Sequence, residues 1–339
     1  MTHGAALPIA LTMGEPAGIG GEISLKAWLA LKASSSPFFV IDSAARLSTL
    51  AQDLGLRVPV IEIDTPEETA SAFCRGLPVL AHELAVAAVP GKPDPANVSA
   101  VVAAIEHAAE FAGAGRVAAI VTNPIHKATM YAGGFNHPGH TEYLGALAGA
   151  DAQPQMMLAV PELRVVPVTV HLPLADVPQA LTTKAIVSAG LIAAEALARD
   201  FGIDSPRLAV AALNPHAGEA STLGAEEREI IAPAVAALRK TGVAVSGPAS
   251  ADTLFHAKAR EAYDAVLCMY HDQALIPLKT IDFDHGVNVT LGLPFVRTSP
   301  DHGTALAIAG RGEASATSLI AALSMAGQMA ARRRSHNTG

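Results

Sequence analysis

The chain contains few charged and few aromatic residues. Of its 339 residues, 16% are charged and 4% are aromatic, whereas 50% are hydrophobic. The usual charged share of a globular protein is about 25%. This composition excludes an intrinsically disordered chain, and the scarcity of aromatic rings requires a largely aliphatic core. The length allows two packed domains of ordinary size.

Basic residues are the minority among the charges. Lysine and arginine total 23 against 31 aspartates and glutamates, which gives a net charge of −8 with histidine neutral. This balance excludes the broad basic surface of a nucleic-acid-binding protein. An anionic substrate would therefore require cations that are placed locally.

Cysteine and long apolar runs are also scarce. Cys74 and Cys268 are too few for a disulfide scaffold, and they form no zinc-ribbon spacing. The N-terminal segment lacks a basic start and reaches Glu15 and Pro16 too early for a signal sequence, and no run of ~18 uncharged apolar residues occurs. We therefore expect a soluble, cytoplasmic protein with no membrane partner.

Short apolar runs rich in β-branched residues alternate with alanine-rich stretches of helical length, which predicts an α/β fold with a mostly parallel sheet. The predicted strands are Pro8–Thr12, Phe38–Asp42, Val58–Ile63, Val117–Thr122, Val165–Thr169, Leu208–Ala212, Val243–Ser246 and Ala265–Met269. The predicted helices are Asn97–Ala112, Thr183–Arg199, Ala225–Lys240, and Gly303–Arg334 with an interruption at Gly310–Gly312. Pro233 kinks the third helix or marks its true first turn.

Three of the 13 histidines lie close to the ends of predicted strands. His171 ends VPVTVH, His216 lies in AALNPHAGE, and His271 ends AVLCMYH. Proteins of the α/β class bind ligands at the carboxyl ends of their strands. Three imidazoles would hold Zn²⁺, Co²⁺ or Ni²⁺ and leave one coordination position open for a substrate oxygen. The alternative is that each is a hydrogen-bonded structural histidine.

A second set of candidates is Lys279, Asn288 and Arg297, spaced nine residues apart in an extended segment punctuated by glycine and proline. Lysine supplies a point charge and arginine a planar fork of donors, so the pair is suited to a phosphate or a carboxylate, with asparagine adding orientation. The alternative is ordinary surface cations and an asparagine in a turn.

Further polar candidates lie in HPGHTE and near two of the histidines. His140 and Thr141 belong to HPGHTE, which combines imidazoles, a hydroxyl and a carboxylate, although a capped helix start would explain it too. Asp252 and Asp272 could orient a ligand imidazole or hold a substrate ammonium group. Helix capping is the simpler role for Asp252.

The glycine-rich turn of Gly14–Ile23 follows the first predicted strand but matches no familiar phosphate-binding motif. A dinucleotide fingerprint starting at Gly18 would need glycine where Ile23 stands, and a P-loop starting at Gly14 lacks the terminal lysine and hydroxyl residue. We therefore interpret this turn as close packing of a strand against a helix, with anion contact as the less favoured role.

Taken together, these motifs resemble the 4-hydroxythreonine-4-phosphate dehydrogenase family of vitamin B6 biosynthesis, and the resemblance spans nearly the whole chain. The segments that carry it are MGEPAGIGGEI, TNPIHK, HPGHTEYL, VTVHLPLADV, LNPHAGE, SADTLF, YDAVLCMYHDQALIPLK and GVNVTLGLPFVRTSPDHGTA. The first segment departs from the family's usual MGDPAGIGPE, because Glu15 replaces the aspartate and Gly21 the proline.

The resemblance implies the two-lobed fold of the isocitrate and isopropylmalate dehydrogenases with an active-site cleft. The first lobe would comprise residues 1–127 and 300–335, and the second, residues 128–299, would carry most site residues and the dimer contact. The resemblance also implies a homodimer whose sites are completed by both subunits, with one metal ligand from the partner. It further implies one divalent metal (zinc, magnesium or cobalt), NAD or NADP as cofactor, metal ligands His171, His216 and His271, and substrate contacts His140, Thr141, Lys279, Asn288 and Arg297.

The implied reaction is the oxidation of 4-phosphohydroxy-L-threonine, a small phosphorylated amino acid, to 2-amino-3-oxo-4-phosphonooxybutanoate. That product loses carbon dioxide to give 3-amino-2-oxopropyl phosphate. The cofactor contacts cannot be assigned from the motifs, because this family does not use the Gly-x-Gly-x-x-Gly turn.

Three alternatives to this function remain. The chain could be a related dehydrogenase that acts on a four-carbon sugar-acid phosphate or on an aromatic cis-dihydrodiol. A metal-dependent phosphate-ester hydrolase would also use an open tri-histidine metal and a cationic clamp. A non-catalytic metabolite-binding protein would require structural histidines and no stoichiometric metal.

Overall fold

The computed structural model describes residues 7–33 and 36–338, so the first six residues of the N-terminal segment and Gly339 lie outside it. The chain divides into two compact units. Unit 1 consists of the described residues within Met1–Pro154 and Leu293–Ala331, and unit 2 of those within Gln155–Gly292 and Arg332–Gly339.

Strands and helices alternate along most of the chain. The strands are β1 (Ile9–Thr12), β2 (Phe38–Asp42), β3 (Val60–Ile63), β4 (Leu77–Ala81), β5 (Ala119–Thr122), β6 (Gln155–Val160), β7 (Leu163–Pro167), β8 (Arg207–Ala211), β9 (Ala244–Ala249), β10 (Ala265–Cys268), β11 (Val287–Leu291) and β12 (Arg297–Pro300). The helices are α1 (Gly20–Leu31), α2 (Ala44–Asp53), α3 (Thr69–Phe73), α4 (Val98–Gly113), α5 (Lys127–Ala132), α6 (His140–Ala148), α7 (Val177–Ala180), α8 (Thr183–Arg199), α9 (Ala232–Lys240), α10 (Ala257–Arg260), α11 (His271–Ile281) and α12 (Thr317–Thr338).

The sheet of unit 1 has the strand order β3-β4-β2-β1-β5-β12, and its neighbouring strands are parallel. Its central strands are apolar and fully buried, as parallel strands covered on both faces must be. One face packs on α4, whose buried residues include Val101, Ala104 and Ile105. The carboxyl ends of β1 and β5 therefore lie at one edge of this sheet.

The sheet of unit 2 has the strand order β11-β6-β7-β10-β8-β9. Strands β7, β10, β8 and β9 are parallel to one another, whereas β6 is antiparallel to both β7 and β11. The core on one face includes Val165, Ala209, Val266 and Leu278. This arrangement brings the ends of β7, β10 and β8, which precede the three candidate ligands, to one edge.

The predicted α/β class and each predicted strand are confirmed, with small shifts of the ends. Ala225–Lys240 is divided, because a π-helical turn at Glu227–Ile231 precedes α9 and Pro233 lies in the first turn of α9. The prediction of helix from Gly303 was wrong. Ala305, Gly310 and Gly312 have positive φ, so α12 begins only at Thr317.

The boundaries of the two units differ from those of the expected lobes. Residues 128–154 and 293–299, which we expected in the second lobe, belong to unit 1. The reason is local contact, because α6 packs on α4 and β12 pairs with β5.

Within the described residues, no single helix is long and apolar enough to span a membrane. The segment Leu174–Ala180 and helix α8 reach that length only when they are combined across a 90° bend.

Candidate functional site

The three histidines predicted as metal ligands follow three neighbouring parallel strands of unit 2. His171 follows β7, His271 begins α11 directly after β10, and His216 follows β8. The spatial order β7-β10-β8 places all three at the carboxyl edge of one sheet, which is where α/β folds bind ligands.

His171 and His271 line one cavity. Their ring centroids are 5.9 Å apart, and both residues border a cavity of about 190 Å³ together with Asp272. Asp272 Oδ1 lies 2.7 Å from Nδ1 of His271. A carboxylate on one ring nitrogen leaves the other available to a metal, so the predicted supporting role of Asp272 agrees with this geometry.

His216 lies in a separate exposed segment. Its backbone has φ 52°. The pKa of the nearby Asp252 carboxyl is lowered chiefly by the Ser250 hydroxyl, which donates to Asp252 over 2.6 Å, and the charge of His216 lowers it further. Asp252 is inside the turn Ala251–Thr253 and does not cap it, so the capping role we favoured is wrong.

The donor set fits a divalent metal in its chemistry. Among residues 7–33 and 36–338 of this single chain, no group of three or more histidine, cysteine or acidic side chains is close enough to hold a metal. Three imidazoles on one sheet edge, one of them oriented by a carboxylate, are nevertheless the ligand types that zinc and cobalt prefer.

Arg297 is the most deeply buried cation of the predicted substrate set. It begins β12, is 3% exposed, and donates from Nη2 to Oγ1 of Thr122 at the end of β5 over 2.6 Å. Burial lowers the pKa of its guanidinium to about 10, and Glu142 opposes that decrease. The group therefore stays charged at neutral pH.

His140 lies close enough to Arg297 for the guanidinium charge to disfavour protonation of the imidazole. It is the first residue of α6, after Gly139 at the N-cap, so HPGHTE does begin a helix, although without a side-chain cap. Its Nε2 atom is buried and has no hydrogen-bond partner among the described residues. Burial, followed by repulsion from Arg297 and Lys127, holds the pKa of the imidazole well below its usual value.

A buried ring nitrogen, an arginine and a helix N-terminus together form a site suited to an anion. Thr141, the second residue of α6, is half-buried beside His140. Lys127, which begins α5, lies with its Cε near Gly139. Our sequence reasoning missed Lys127, although it follows β5 as closely as the histidines follow their strands.

The other two predicted substrate residues belong to unit 2. Lys279 is in the last turn of α11, with Nζ 5.4 Å from the Phe283 ring centroid, so its segment is helical rather than extended as expected. Asn288 lies on β11, and its Oδ1 is buried without a hydrogen-bond partner among the described residues. Arg297 lies in unit 1, so the nine-residue series is divided between the units.

The glycine-rich turn after β1 is closely packed, as we interpreted it. A Cβ on Gly20 would lie 2.7 Å from the Met13 carbonyl oxygen, so a side chain has no room there. Beside this turn, unit 1 has a cavity of about 360 Å³ whose lining includes the carboxylates of Asp53 and Glu83 and the apolar Leu84 and Val86. Carboxylates that accept hydrogen bonds from hydroxyl groups, next to apolar side chains, fit the ribose and the base of a nicotinamide cofactor.

Known proteins resemble this chain over almost its full length. The family model described as pyridoxal phosphate biosynthetic protein PdxA matches residues 34–326. A 4-hydroxythreonine-4-phosphate dehydrogenase of Caulobacter vibrioides is 53% identical, over 96% of this chain and 98% of that protein.

Solved structures also resemble this chain over almost its full length. The 4-hydroxythreonine-4-phosphate dehydrogenase of Klebsiella pneumoniae has a TM-score of 0.86 at 38% identity and covers 96% of this chain and 100% of its own. A terephthalate 1,2-cis-dihydrodiol dehydrogenase of Burkholderia xenovorans has a TM-score of 0.65 at 26% identity, over 95% of this chain and 98% of its own. A β-decarboxylating dehydrogenase of Thermococcus kodakarensis has a TM-score of 0.50 at 14% identity, over 94% of this chain and 82% of its own, and the three structures together confirm the predicted α/β dehydrogenase type of fold. The chain therefore belongs to the family of the pyridoxal phosphate biosynthetic protein PdxA.

Proposed function

We propose that this chain is a metal-dependent, NAD(P)-linked oxidoreductase that converts 4-phosphohydroxy-L-threonine to 2-amino-3-oxo-4-phosphonooxybutanoate. The observation that carries this proposal is the buried, charged Arg297 beside His140 at the N-terminus of α6, in a chain of this family. Such a site suits the phosphate or the carboxylate of the substrate. The keto acid then loses carbon dioxide to give 3-amino-2-oxopropyl phosphate.

The residues of unit 1 bind an anionic end of the substrate. Arg297 supplies a permanent charge, and Thr122 holds its guanidinium in place from Oγ1. His140 is neutral at neutral pH, so its Nε2–H donates one hydrogen bond to a substrate oxygen without adding a charge to the site. Thr141 adds a hydroxyl and a backbone N–H at the helix N-terminus.

In unit 2, we assign His171, His216 and His271 to the metal, and Lys279 and Asn288 to the substrate. A bound divalent metal supplies Lewis acidity, which lowers the pKa of a substrate hydroxyl. Asp272 fixes the ring of His271, and Asp252 lies within electrostatic range of His216. Lys279 contributes a point charge, which suits the second anionic group of the substrate.

We assign part of the nicotinamide cofactor to the cavity of unit 1. When bound, a nicotinamide cofactor would supply the acceptor for a hydride from the substrate. Asp53 and Glu83 would accept hydrogen bonds from ribose hydroxyls, and Leu84 and Val86 would contact the base. The lining also contains Arg46, which is paired with Asp42, so this assignment covers NAD and NADP alike.

We further propose that the active form is a homodimer in which the partner subunit completes the metal site. The support is a set of large apolar side chains of unit 2 that are exposed in the single chain. Leu174 is 67% exposed, Ile276 is 65% exposed and Phe283 is 73% exposed. Exposed apolar surface of this kind is typical of protein interfaces.

The test is NADH formation by the purified protein with Co²⁺ and each candidate substrate in turn. We expect turnover with 4-phosphohydroxy-L-threonine and at least 100-fold less with unphosphorylated 4-hydroxythreonine, because the cations assigned to the phosphate then have no partner. Turnover only with a sugar-acid phosphate or a cis-dihydrodiol would replace the substrate assignment. Phosphate release without NADH would indicate a hydrolase.

A further inference from the structure

The segment that carries His216 has a backbone conformation that most residues avoid. All six residues from His216 to Ser221 have positive φ, between 41° and 76°. Only one of them, Gly218, is a glycine. Side-chain-bearing residues are strained in the left-handed region, so contacts from neighbouring elements must hold this segment in place.

Glu227 makes such contacts on the N-terminal side of His216. It is 6% exposed and begins the π-helical turn that precedes α9. Its Oε1 accepts the backbone N–H groups of Leu213 over 2.9 Å and Asn214 over 2.7 Å. Its Oε2 accepts from Nδ2 of Asn214 over 3.0 Å.

The same carboxylate also lies against the residues that follow His216. A Cβ on Gly218 would be only 2.6 Å from Oε2 of Glu227, so this glycine is the point of closest approach. The Gly218 carbonyl in turn accepts the N–H of Leu223 over 3.1 Å. One buried carboxylate therefore holds the chain before the candidate ligand by hydrogen bonds and lies in close contact with it two residues after.

We propose that Glu227 is the positioning residue for His216, which sets the affinity of the metal site without contacting the metal. This inference rests on the proposed function, because it takes His216 as a ligand. Both carboxylate oxygens of Glu227 are already engaged by N–H groups of its own chain. Without the two carboxylate oxygens, the buried N–H groups lose their acceptor, and the strained segment is free to move the His216 imidazole away from the metal.

Two variants separate the reach of the carboxylate from its charge. Glu227→Asp keeps the charge but withdraws both oxygens by one methylene, whereas Glu227→Gln keeps the length and an oxygen for the Leu213 and Asn214 N–H groups. The matched control is Glu226→Gln, because the neighbouring Glu226 accepts from Nδ2 of Asn214, over 2.7 Å, and not from the backbone N–H groups of Leu213 and Asn214 that Glu227 holds.

The experiment is a calorimetric titration of metal-free protein with Co²⁺. We expect Glu227→Asp to raise the Kd for Co²⁺ roughly 10- to 100-fold, the range measured for residues that orient metal ligands. Glu227→Gln should raise it less, and Glu226→Gln should leave it within about twofold. Hydrogen exchange of residues 213–224 in the metal-free protein should quicken in Glu227→Asp only.

The outcomes distinguish this inference from the proposed function. A Kd and an exchange rate in Glu227→Asp equal to those of the wild type would overturn the positioning role and leave the proposed function intact. If the wild type itself bound no Co²⁺, both would fall. If positioning is the role, saturating Co²⁺ should restore the turnover of Glu227→Asp with the KM for substrate unchanged, which a general loss of structure would not permit.

Discussion

Arg297 and Thr122 are joined by a hydrogen bond in the interior of unit 1, where Nη2 of the arginine donates to Oγ1 of the threonine over 2.6 Å. Both residues are buried, and their strands are parallel partners. This hydrogen bond fixes the orientation of a buried guanidinium, and a fixed planar fork is what binding of a phosphate or carboxylate requires.

Replacement of Arg297 should therefore weaken substrate binding. We expect Arg297→Ala to raise the KM for the phosphorylated substrate roughly 10- to 100-fold, since a charged hydrogen bond contributes about 1.5–3 kcal/mol. Thr122→Val should have a smaller effect, about fivefold, because the charge remains while its orientation is lost. Steady-state kinetics measure both, with the exposed Arg57→Ala as control. Unchanged KM and kcat in Arg297→Ala would refute the assigned role.

His140, whose Nε2 atom is buried, predicts a loss of stability in acid. Its pKa is lower in the folded protein than the value of about 6.5 in an unfolded chain, so unfolding takes up a proton below that pH. The contribution is complete above pH 6.5 and falls as the pH decreases, by at most about 1.4 kcal/mol per pH unit. Urea unfolding at pH 7.5 and 5.5 should show a smaller decrease in His140→Gln than in the wild type. Equal decreases would mean that His140 is not held neutral.

Asp272 should influence metal affinity through His271. Its Oδ1 contacts Nδ1 of His271, so Asp272→Ala leaves the ring free to rotate and should raise the Kd for metal roughly 10- to 100-fold. The matched control is Asp204→Ala, an exposed carboxylate in the loop before β8. A competition titration against a chromophoric chelator measures the difference, and identical affinities in the two variants would contradict the orienting role.

Two glycines separate backbone strain from steric contact. Gly14 and Gly55 have almost the same φ, 68° and 64°, but a Cβ would lie 2.6 Å from the Pro124 carbonyl oxygen at Gly14 and within 4 Å of nothing at Gly55. Gly55→Ala should cost about 1–2 kcal/mol, the usual left-handed penalty, and Gly14→Ala distinctly more. Chemical denaturation provides both values. Equal costs would mean that the turn after β1 is not closely packed.

Apolar runs predicted β7, β8 and β10, which precede the three histidines, because buried parallel strands are continuous apolar runs. They missed β12, whose sequence RTSP is polar although every residue of it is buried. The burial of Arg297 depends on Thr122, 175 residues away along the chain. No local pattern reports such a pairing.

The positions of the three histidines after their strands could be predicted, but their side-chain environment could not. Only Gly218 signals positive φ between His216 and Ser221, so the left-handed segment has no clear sequence signature. Its conformation depends on Glu227, which our reasoning did not single out. The proximity of Lys127 to Gly139 and His140 was missed, because the sequence does not show that α5 and α6 lie side by side.

The most direct test of the account is whether oxidation by this chain depends on the metal. The measurement is the amount of NADH and carbon dioxide formed from 4-phosphohydroxy-L-threonine and NAD⁺ before chelation, after chelation, and after a divalent metal is restored. We predict equal amounts of NADH and carbon dioxide, loss of both on chelation, and recovery of both with metal. Undiminished NADH formation by fully metal-free protein, or by His216→Ala with no bound metal, would contradict the account.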